Sequence, residues 1–377
     1  MQFVTSSASD QRLHQIALAR QAVLHEGKSM ARIGTQGWIE RSWQRCLASG
    51  MRPDQPVSFD MVTPNTMRRL VDANRTLLHT ARPILQSLGQ AIASTRYFAV
   101  MTDAQGVVID AHGAIDRSDR RADLITRIGT DLSESQLATT AISAALTELQ
   151  PVWLHRGEHF FDANAAYSCA GAPLFGPDGA CIGMLDLTGI DAAERPELKH
   201  LVAQSARSIE NALTIGCLTG KRDLLVRLNW PGRALGDETD GLVCLNADGY
   251  VTAANQMARL MVPQLMPQLT AKAAQQHASD LFAMPHGMLF SAASQQSHRA
   301  ALEVPLWTGL RLHALPVYSG QTSPATAVPP PPLKDIETAL IRKAVDEARG
   351  NVQLAARTLG ISRATVYRRL GVSPKRR

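Results

Sequence analysis

Three runs of this chain carry residue types that could do chemistry. His155-Arg156-Gly157-Glu158-His159 sets two imidazoles and a carboxylate in an H-x-x-E-H spacing. That spacing binds zinc when a helix brings both rings to one face. Here it follows the strand-like Pro151-Val152-Trp153-Leu154 and contains Gly157, so a turn is expected and no metal. Gly216-Cys217-Leu218-Thr219-Gly220-Lys221-Arg222 imitates a phosphate-binding loop, but three residues separate its glycines instead of four. Arg222 also stands where a Ser or Thr would hold magnesium, so nucleotide hydrolysis is not expected. The five cysteines, Cys46, Cys169, Cys181, Cys217 and Cys244, are odd in number and lack metal-ligand spacing. They read as reduced thiols used as small core residues. Sulfenate chemistry at Cys169 is the competing, enzymatic reading; the expectation adopted is no enzyme and no cofactor.

The fourth chemistry is electrostatic. Residues 350–377 hold Arg357, Arg363, Arg368, Arg369, Lys375, Arg376 and Arg377 and no acid, which calls for a polyanionic partner. Asn351 caps a short helix whose apolar stripe is Leu354, Ala355 and Leu359; Gly360 ends it. Ser362 then caps a second helix with Val366 and Leu370 inward. A helix upstream, residues 335–348, presents Ile336, Leu340, Ile341, Ala344 and Ala348 along one face. Three helices with a Gly turn make a helix-turn-helix module whose last helix enters the major groove of double-stranded DNA. Ser362, Arg363, Thr365 and Arg368 are then base or backbone contacts, while Arg357, Arg369 and Lys375 hold phosphates. The run from Asn351 to Leu370 resembles the Fis-type domain that ends many bacterial enhancer-binding regulators.

The elements that would position a sensor lie upstream. Amphipathic helices are expected over residues 8–25 and 36–48, the second built on Trp38, Ile39, Trp43 and Leu47. A longer helix follows over 63–95. Hairpins join strands 97–102 and 107–112, 167–175 and 180–188, and 242–245 and 250–253 across Gly-containing turns. If Phe175 pairs with Ala180, Cys169 lies opposite Asp186. Arg41-Ser42-Trp43-Gln44-Arg45-Cys46 is similar to the opening of regulators in the acetoin-catabolism activator family. Residues 129–146, with Ser168-Cys169-Ala170 and residues 183–189, resemble the GAF sensor domain of the same family, whose pattern runs G-x-x-W-S-E-x-x-x-G-T-N-A-I-G-T-A-L. This chain departs from it at Leu132 (Trp), Ala138 and Ser143 (Gly) and Thr140 (Asn), so the family's effector does not carry over. For a small-molecule effector the resemblance points to Leu132, Glu134, Thr140, Trp153, Phe160, Cys169 and Asp186.

Apolar residues recur at three-and-four spacing from Glu197 to Leu218, including Leu198, Val202, Ile209 and Leu213. They read either as a dimer seam or as a helix packed on its own sheet. Residues 237–318 begin like a PAS domain. Residues 319–332, ending in four prolines, cannot build a core and read as a linker. The formal charge is +6, from 39 basic and 33 acidic residues. Residues 333–377 hold 11 of the bases and 4 of the acids, leaving a near-neutral body. No apolar run approaches the ~20 residues that cross a bilayer, and no signal-peptide order is present; a cytoplasmic protein without membrane contact is expected.

The fold class expected is α+β: GAF-like and PAS-like antiparallel-sheet sensors followed by an all-α three-helix Fis-type module. Its parts are residues 1–60 (N-terminal helices), 61–218 (GAF-like), 219–318 (PAS-like), 319–332 (linker) and 333–377 (DNA-binding). The function expected is a ligand-responsive, homodimeric transcription regulator. The family's central ATPase would be missing, since a proline linker occupies its junction.

Overall fold

The computed structural model describes residues 8–27, 37–266, 276–295 and 301–319, with Val345, Val352–Thr358 and Val366. The chain divides into two compact units, Met1–Ser319 and Gly320–Arg377. The side chains of Arg357, Ser362, Arg363, Thr365, Arg368, Arg369 and Lys375, and the linker from residue 320, lie outside the described residues.

In the first unit, α1 (Ala8–Arg20) runs into a π-helical turn, Gln21–His25, and α2 (Gly37–Ala48) buries Trp38, Ile39, Trp43 and Cys46. The long helix expected over 63–95 is two helices, α3 (Pro64–Ala73) and α4 (Arg75–Ala91). They part at Asn74, whose φ of −96° and ψ of 12° leave the helical region. Its side-chain amide donates to the Leu70 carbonyl at 2.9 Å, a local bond that competes with the helix ladder. There follow β1 (Tyr97–Asp103), β2 (Val108–Gly113), α5 (Arg120–Ile125), α6 (Glu134–Leu137), α7 (Ala141–Glu148), β3 (Val152–His155), β4 (Tyr167–Phe175), β5 (Cys181–Ile190) and α8 (Leu198–Ile215).

The five strands form an antiparallel sheet in the order β2-β1-β5-β4-β3. Every residue of β1 is buried, because the sheet is covered on both faces. Alternation sorts its side chains: Phe98 and Val100 join the core that includes Ala141 and Ala144 of α7 and the α2 tryptophans. Tyr97, Ala99 and Met101 join the core made with α4 and α8. The heptad-like face of α8 packs here, with Leu198, Val202, Ile209 and Leu213 buried against the sheet and α4. It is therefore not available as a dimer seam. The β4–β5 register also differs from expectation. A bulge at Leu174/Phe175 pairs Phe175 with Cys181, so Cys169 faces Thr188 while Asp186 faces Gly171. The shift of two residues keeps all three side chains on one face.

A second antiparallel sheet holds β6 (Leu224–Asn229), β7 (Gly241–Leu245), β8 (Val251–Ala254), β9 (Leu302–Pro305) and β10 (Arg311–Tyr318), in the order β8-β7-β6-β10-β9. Helices α9 (Gln256–Met261), α10 (Ala278–Leu281) and α11 (Gly287–Ser294) intervene. The PAS-like reading began at residue 237, but the central strand is β6, upstream of it. This strand is apolar at both parities: Leu225 packs with Leu242 and Cys244, whereas Leu224, Val226 and Leu228 fill the opposite core. With both faces covered it shows no alternation to mark it as a strand. In the second unit, α12 (Val352–Thr358) buries Ala356 beside Val366, with Val345 and Val352 packed on them. The stripe is Val352 and Ala356; Leu354, assigned inward from sequence, is exposed.

Candidate ligand cavity

A cavity of about 40 Å³ lies between the first sheet and α7. The sheet contributes Val100 of β1, Tyr167 and Cys169 of β4, and Asp186 and Thr188 of β5. Thr140, Ala141 and Ile142 roof it from the start of α7. Ile125, Leu132, Leu137, Phe59, His159 and Asn164 complete the walls. Apart from half-buried Phe59, every lining residue is buried. The volume suits a molecule of a few heavy atoms, since one water needs ~10–15 Å³ on a comparable measure.

The polar groups converge from β4 and β5. Asp186 is 1% exposed; its Oδ2 accepts from the Thr188 hydroxyl, while its Oδ1 has no partner. Burial pushes the carboxyl up to about 7, against the Thr188 bond that lowers it. Near neutral pH it can therefore donate or accept a hydrogen bond. The Cys169 thiol, 3.5 Å from the Thr188 hydroxyl, is held well above its ordinary value by burial and then by Asp186. Burial takes His159 down to about 4, so the ring is neutral; Nδ1 sits 2.9 Å from the Arg156 carbonyl, which assigns the proton to Nδ1. No Lys or Arg is among the lining residues.

Of the seven residues singled out from sequence, the structure brings Leu132, Thr140, Cys169 and Asp186 to this cavity. Trp153 lies on the opposite face of the sheet, in the core with Tyr97, whose ring centroid is 6.5 Å away. Strand parity decides this, because its neighbours Val152 and Leu154 point to the cavity side. Glu134 points to α2, where its Oε1 accepts from Ser42 Oγ at 3.1 Å and Arg45 Nη2 at 3.0 Å. Phe160 is fully buried in the same core but packs edge-on against Phe161 instead of lining the space. Sequence reasoning missed Tyr167 and Thr188, each two residues along a strand from a residue it chose; period-two alternation would have found them. His159 and Asn164, on irregular backbone, carried no such signal.

The H-x-x-E-H residues part company. His155 Nδ1 meets the Ser168 hydroxyl at 2.8 Å, Glu158 Oε1 accepts from Arg12 Nη2 at 2.8 Å, and His159 turns to the Arg156 carbonyl. In the phosphate-loop mimic, the amides of Thr219 and Gly220 donate to Asp223 Oδ2 at 3.0 and 2.7 Å. The chain's own carboxylate occupies that nest.

The departures from the acetoin-type pattern explain one another. Thr140 caps α7: its hydroxyl accepts from the Ser143 amide at 3.2 Å, and Ser143 Oγ accepts from the Thr140 amide at 2.9 Å. Ser143 Oγ also donates to the Ala138 carbonyl at 2.8 Å. Glycine at 143 could make none of the side-chain bonds, so the two replacements form a reciprocal capping box.

An α+β sheet unit enclosing a cavity, ahead of a helical unit, is the class of protein seen here. Residues 17–211, just over half of the chain, match the MimR N-terminal domain model, and the chain belongs to that family. Residues 332–371 match the model of bacterial regulatory proteins of the Fis family. The acetoin catabolism regulatory protein of Cupriavidus necator is 30% identical over 239 residues, covering 61% of this chain and 35% of that protein. The propane 2-monooxygenase operon transcriptional activator MimR of Mycolicibacterium smegmatis is 29% identical over 178 residues, 46% of this chain and 29% of that protein. The chain thus spans about a third of the length of these curated relatives. Among solved structures, the E. coli DhaR(N)–DhaL complex aligns with a TM-score of 0.45 at 16% identity, covering 75% of this chain and 99% of that one.

Proposed function

We propose that this chain is a bacterial transcription regulator that binds duplex DNA through residues 333–377 and responds to a small uncharged molecule held beside Asp186. The observation that carries this is the union, in one polypeptide, of a Fis-family match at residues 332–371 with a cavity containing an unpartnered carboxyl oxygen. A buried polar atom without a partner costs roughly 1–3 kcal/mol, and a ligand hydroxyl at Asp186 Oδ1 would offset that cost. A carboxylate ligand would meet Asp186 with no cation among the lining residues. The relatives' names concern acetoin and propane, which are small and uncharged. Leu132, Thr140, Cys169 and Asp186 are the ligand contacts favoured by the geometry; Glu134, Trp153 and Phe160 then act on the cavity from outside.

The regulator acts in the cytoplasm as a homodimer, since helix-turn-helix modules usually read paired half-sites, and it does so without hydrolysing ATP. A thiol catalyst at Cys169 finds little support, because a buried thiol raised further by Asp186 is a poor nucleophile.

Fluorescence anisotropy on a duplex chosen from genome-wide occupancy tests the reading. Arg363→Ala should lose about 1–3 kcal/mol on the chosen duplex and little on random DNA, while Lys375→Ala should weaken both alike and flatten the salt dependence. Equal losses on both duplexes for both variants would remove the claim of base readout. A thermal-shift panel of neutral ketones, alcohols and diols that moves nothing would favour an architectural DNA protein.

A further inference from the structure

Four asparagines are buried among the described residues: Asn164, Asn211, Asn229 and Asn255. Three of them hold the fold through their side chains. Asn255 Oδ1 accepts from the Leu242 and Ala258 amides, both at 2.8 Å, and its Nδ2 donates to Asn211 Oδ1 at 2.7 Å and to the Asp240 carbonyl at 2.9 Å. Asn211 Nδ2 donates to the Glu238 carbonyl at 3.0 Å, and Asn229 ties Asp240 to the Trp230 amide. Asn164 differs. It is 3% exposed and lines the cavity, yet its side-chain amide has no hydrogen-bond partner among the described residues. A buried amide, with two donors and an acceptor, is ordinarily bonded.

Two neighbours in the lining share this condition. With its proton on Nδ1 toward the Arg156 carbonyl, His159 keeps Nε2 as an acceptor without a protein partner. The Tyr167 hydroxyl, which burial keeps protonated, is also unbonded among the described residues. Along the sheet these groups stand apart from Asp186: Tyr167 pairs with Ile190, whereas Asp186 pairs with Gly171, four residues further along β4. The cavity thus has two polar groups of atoms, Asp186 with Thr188 and Asn164 with His159 and Tyr167, among apolar walls from Val100, Leu137 and Ile142. Its volume of about 40 Å³ holds only a few heavy atoms, so one small molecule can reach both.

Resting on the reading that the cavity takes a small uncharged ligand, we propose that Asn164 is a second binding residue, and that it selects molecules with two oxygen functions over those with one. Asn164 Nδ2 donates to a carbonyl oxygen of the ligand, while a hydroxyl on the neighbouring carbon donates to Asp186 Oδ1. The two contacts read different ends of the same molecule.

Two probes that differ by one function test this. Hydroxyacetone and n-propanol share three carbons and a terminal hydroxyl; only the first carries a carbonyl. Calorimetric titration into the full-length wild type should give hydroxyacetone an affinity about tenfold higher, the worth of one added hydrogen bond. Asn164→Leu keeps the branching of the side chain and removes its polar atoms. It should abolish the preference and leave n-propanol binding unchanged. Because the amide holds no protein group, the ligand-free melting temperature of Asn164→Leu should stay level or rise, whereas Asn255→Leu should lower it by several degrees. Asn164→Ala, which adds no bulk, is carried alongside in case Asn164→Leu does not fold. Equal affinities of the two probes for wild type overturn the inference. So does a preference that survives in either folded variant, or a melting temperature that falls in both Asn164 variants as far as in Asn255→Leu. Each of these leaves a ligand at Asp186 in place. If neither probe binds wild type, the ligand reading fails and the role of Asn164 with it.

Discussion

Ala138 holds φ at 56° and ψ at −140°, a conformation that glycine adopts freely and that strains a residue with a Cβ. The acetoin-type pattern carries glycine there, and this chain keeps the backbone while losing the residue suited to it. Ala138→Gly should therefore stabilise the protein by about 1 kcal/mol, read as a higher urea midpoint; a lower midpoint would show that the methyl's packing outweighs the strain. Asp186 makes a pH-dependent case. Its folded value is raised from 3.8 to about 7. Its contribution to stability is thus fully present below about pH 4 and is lost as pH rises through 7. Asp186→Asn keeps an acceptor for Thr188 and cannot ionise, so its stability relative to wild type should climb between pH 4 and 8, by a few kcal/mol at most. A difference that stays flat across that range would place the ionisation elsewhere.

At the scale of elements, α7 is eight residues long and depends on how it starts. Ser143→Gly restores the family residue but removes the reciprocal cap and the bond to Ala138, and should cost about 1 kcal/mol or more by chemical denaturation. A neutral outcome would mean Thr140 alone suffices. The hairpins and most helices were legible because turn glycines and apolar periodicity are local signals. Asn74 was not: a polar residue between two helical patterns reads as continuation until its side chain is seen bonded to Leu70. Nor was β6, whose apolar residues serve two cores at once. In α8 a three-and-four repeat fits a partner helix and a sheet face equally well, and the buried contacts assign it to the sheet.

Within the first unit, the two sheets meet at the β4–β5 turn. The Pro177 carbonyl accepts from Arg259 Nη2 at 2.7 Å and from the Ala254 amide at 3.0 Å. Asn255 Nδ2 reaches Asn211 Oδ1 at 2.7 Å, so α8 and the second sheet share a buried polar contact. Arg259 is 6% exposed and bonded to backbone carbonyls, and burial lowers its proton affinity. Gly179 makes room for it: its φ is +87°, and a Cβ would stand 2.7 Å from Arg259 Nε. Gly179→Ala should cost about 2 kcal/mol or more from backbone strain and displacement of the guanidinium, measured by urea unfolding of the full chain. An unchanged midpoint would mean that this joint is loose. Cys169, Asp186 and Thr188 stand on the strands that end at this turn, so a ligand in the cavity and the second sheet share one hairpin.

Order and type of amino acids sufficed for whatever is written locally: the basic carboxyl-terminal segment, the Gly-turn hairpins, α2 with its tryptophans, and the motif run from Gly129 to Leu146. Four of the seven candidate cavity residues also lie where they were sought, since strand alternation survives a register shift of two. Folding had to decide which face Trp153 joined, what α8 packed against, and that Arg20, far away in the chain, would gather the carbonyls of Gly157, His159 and Phe160. The Arg20 contacts join segments more than a hundred residues apart. A periodic pattern states only that a face is apolar; what covers it is settled by the competition among all such faces to leave water.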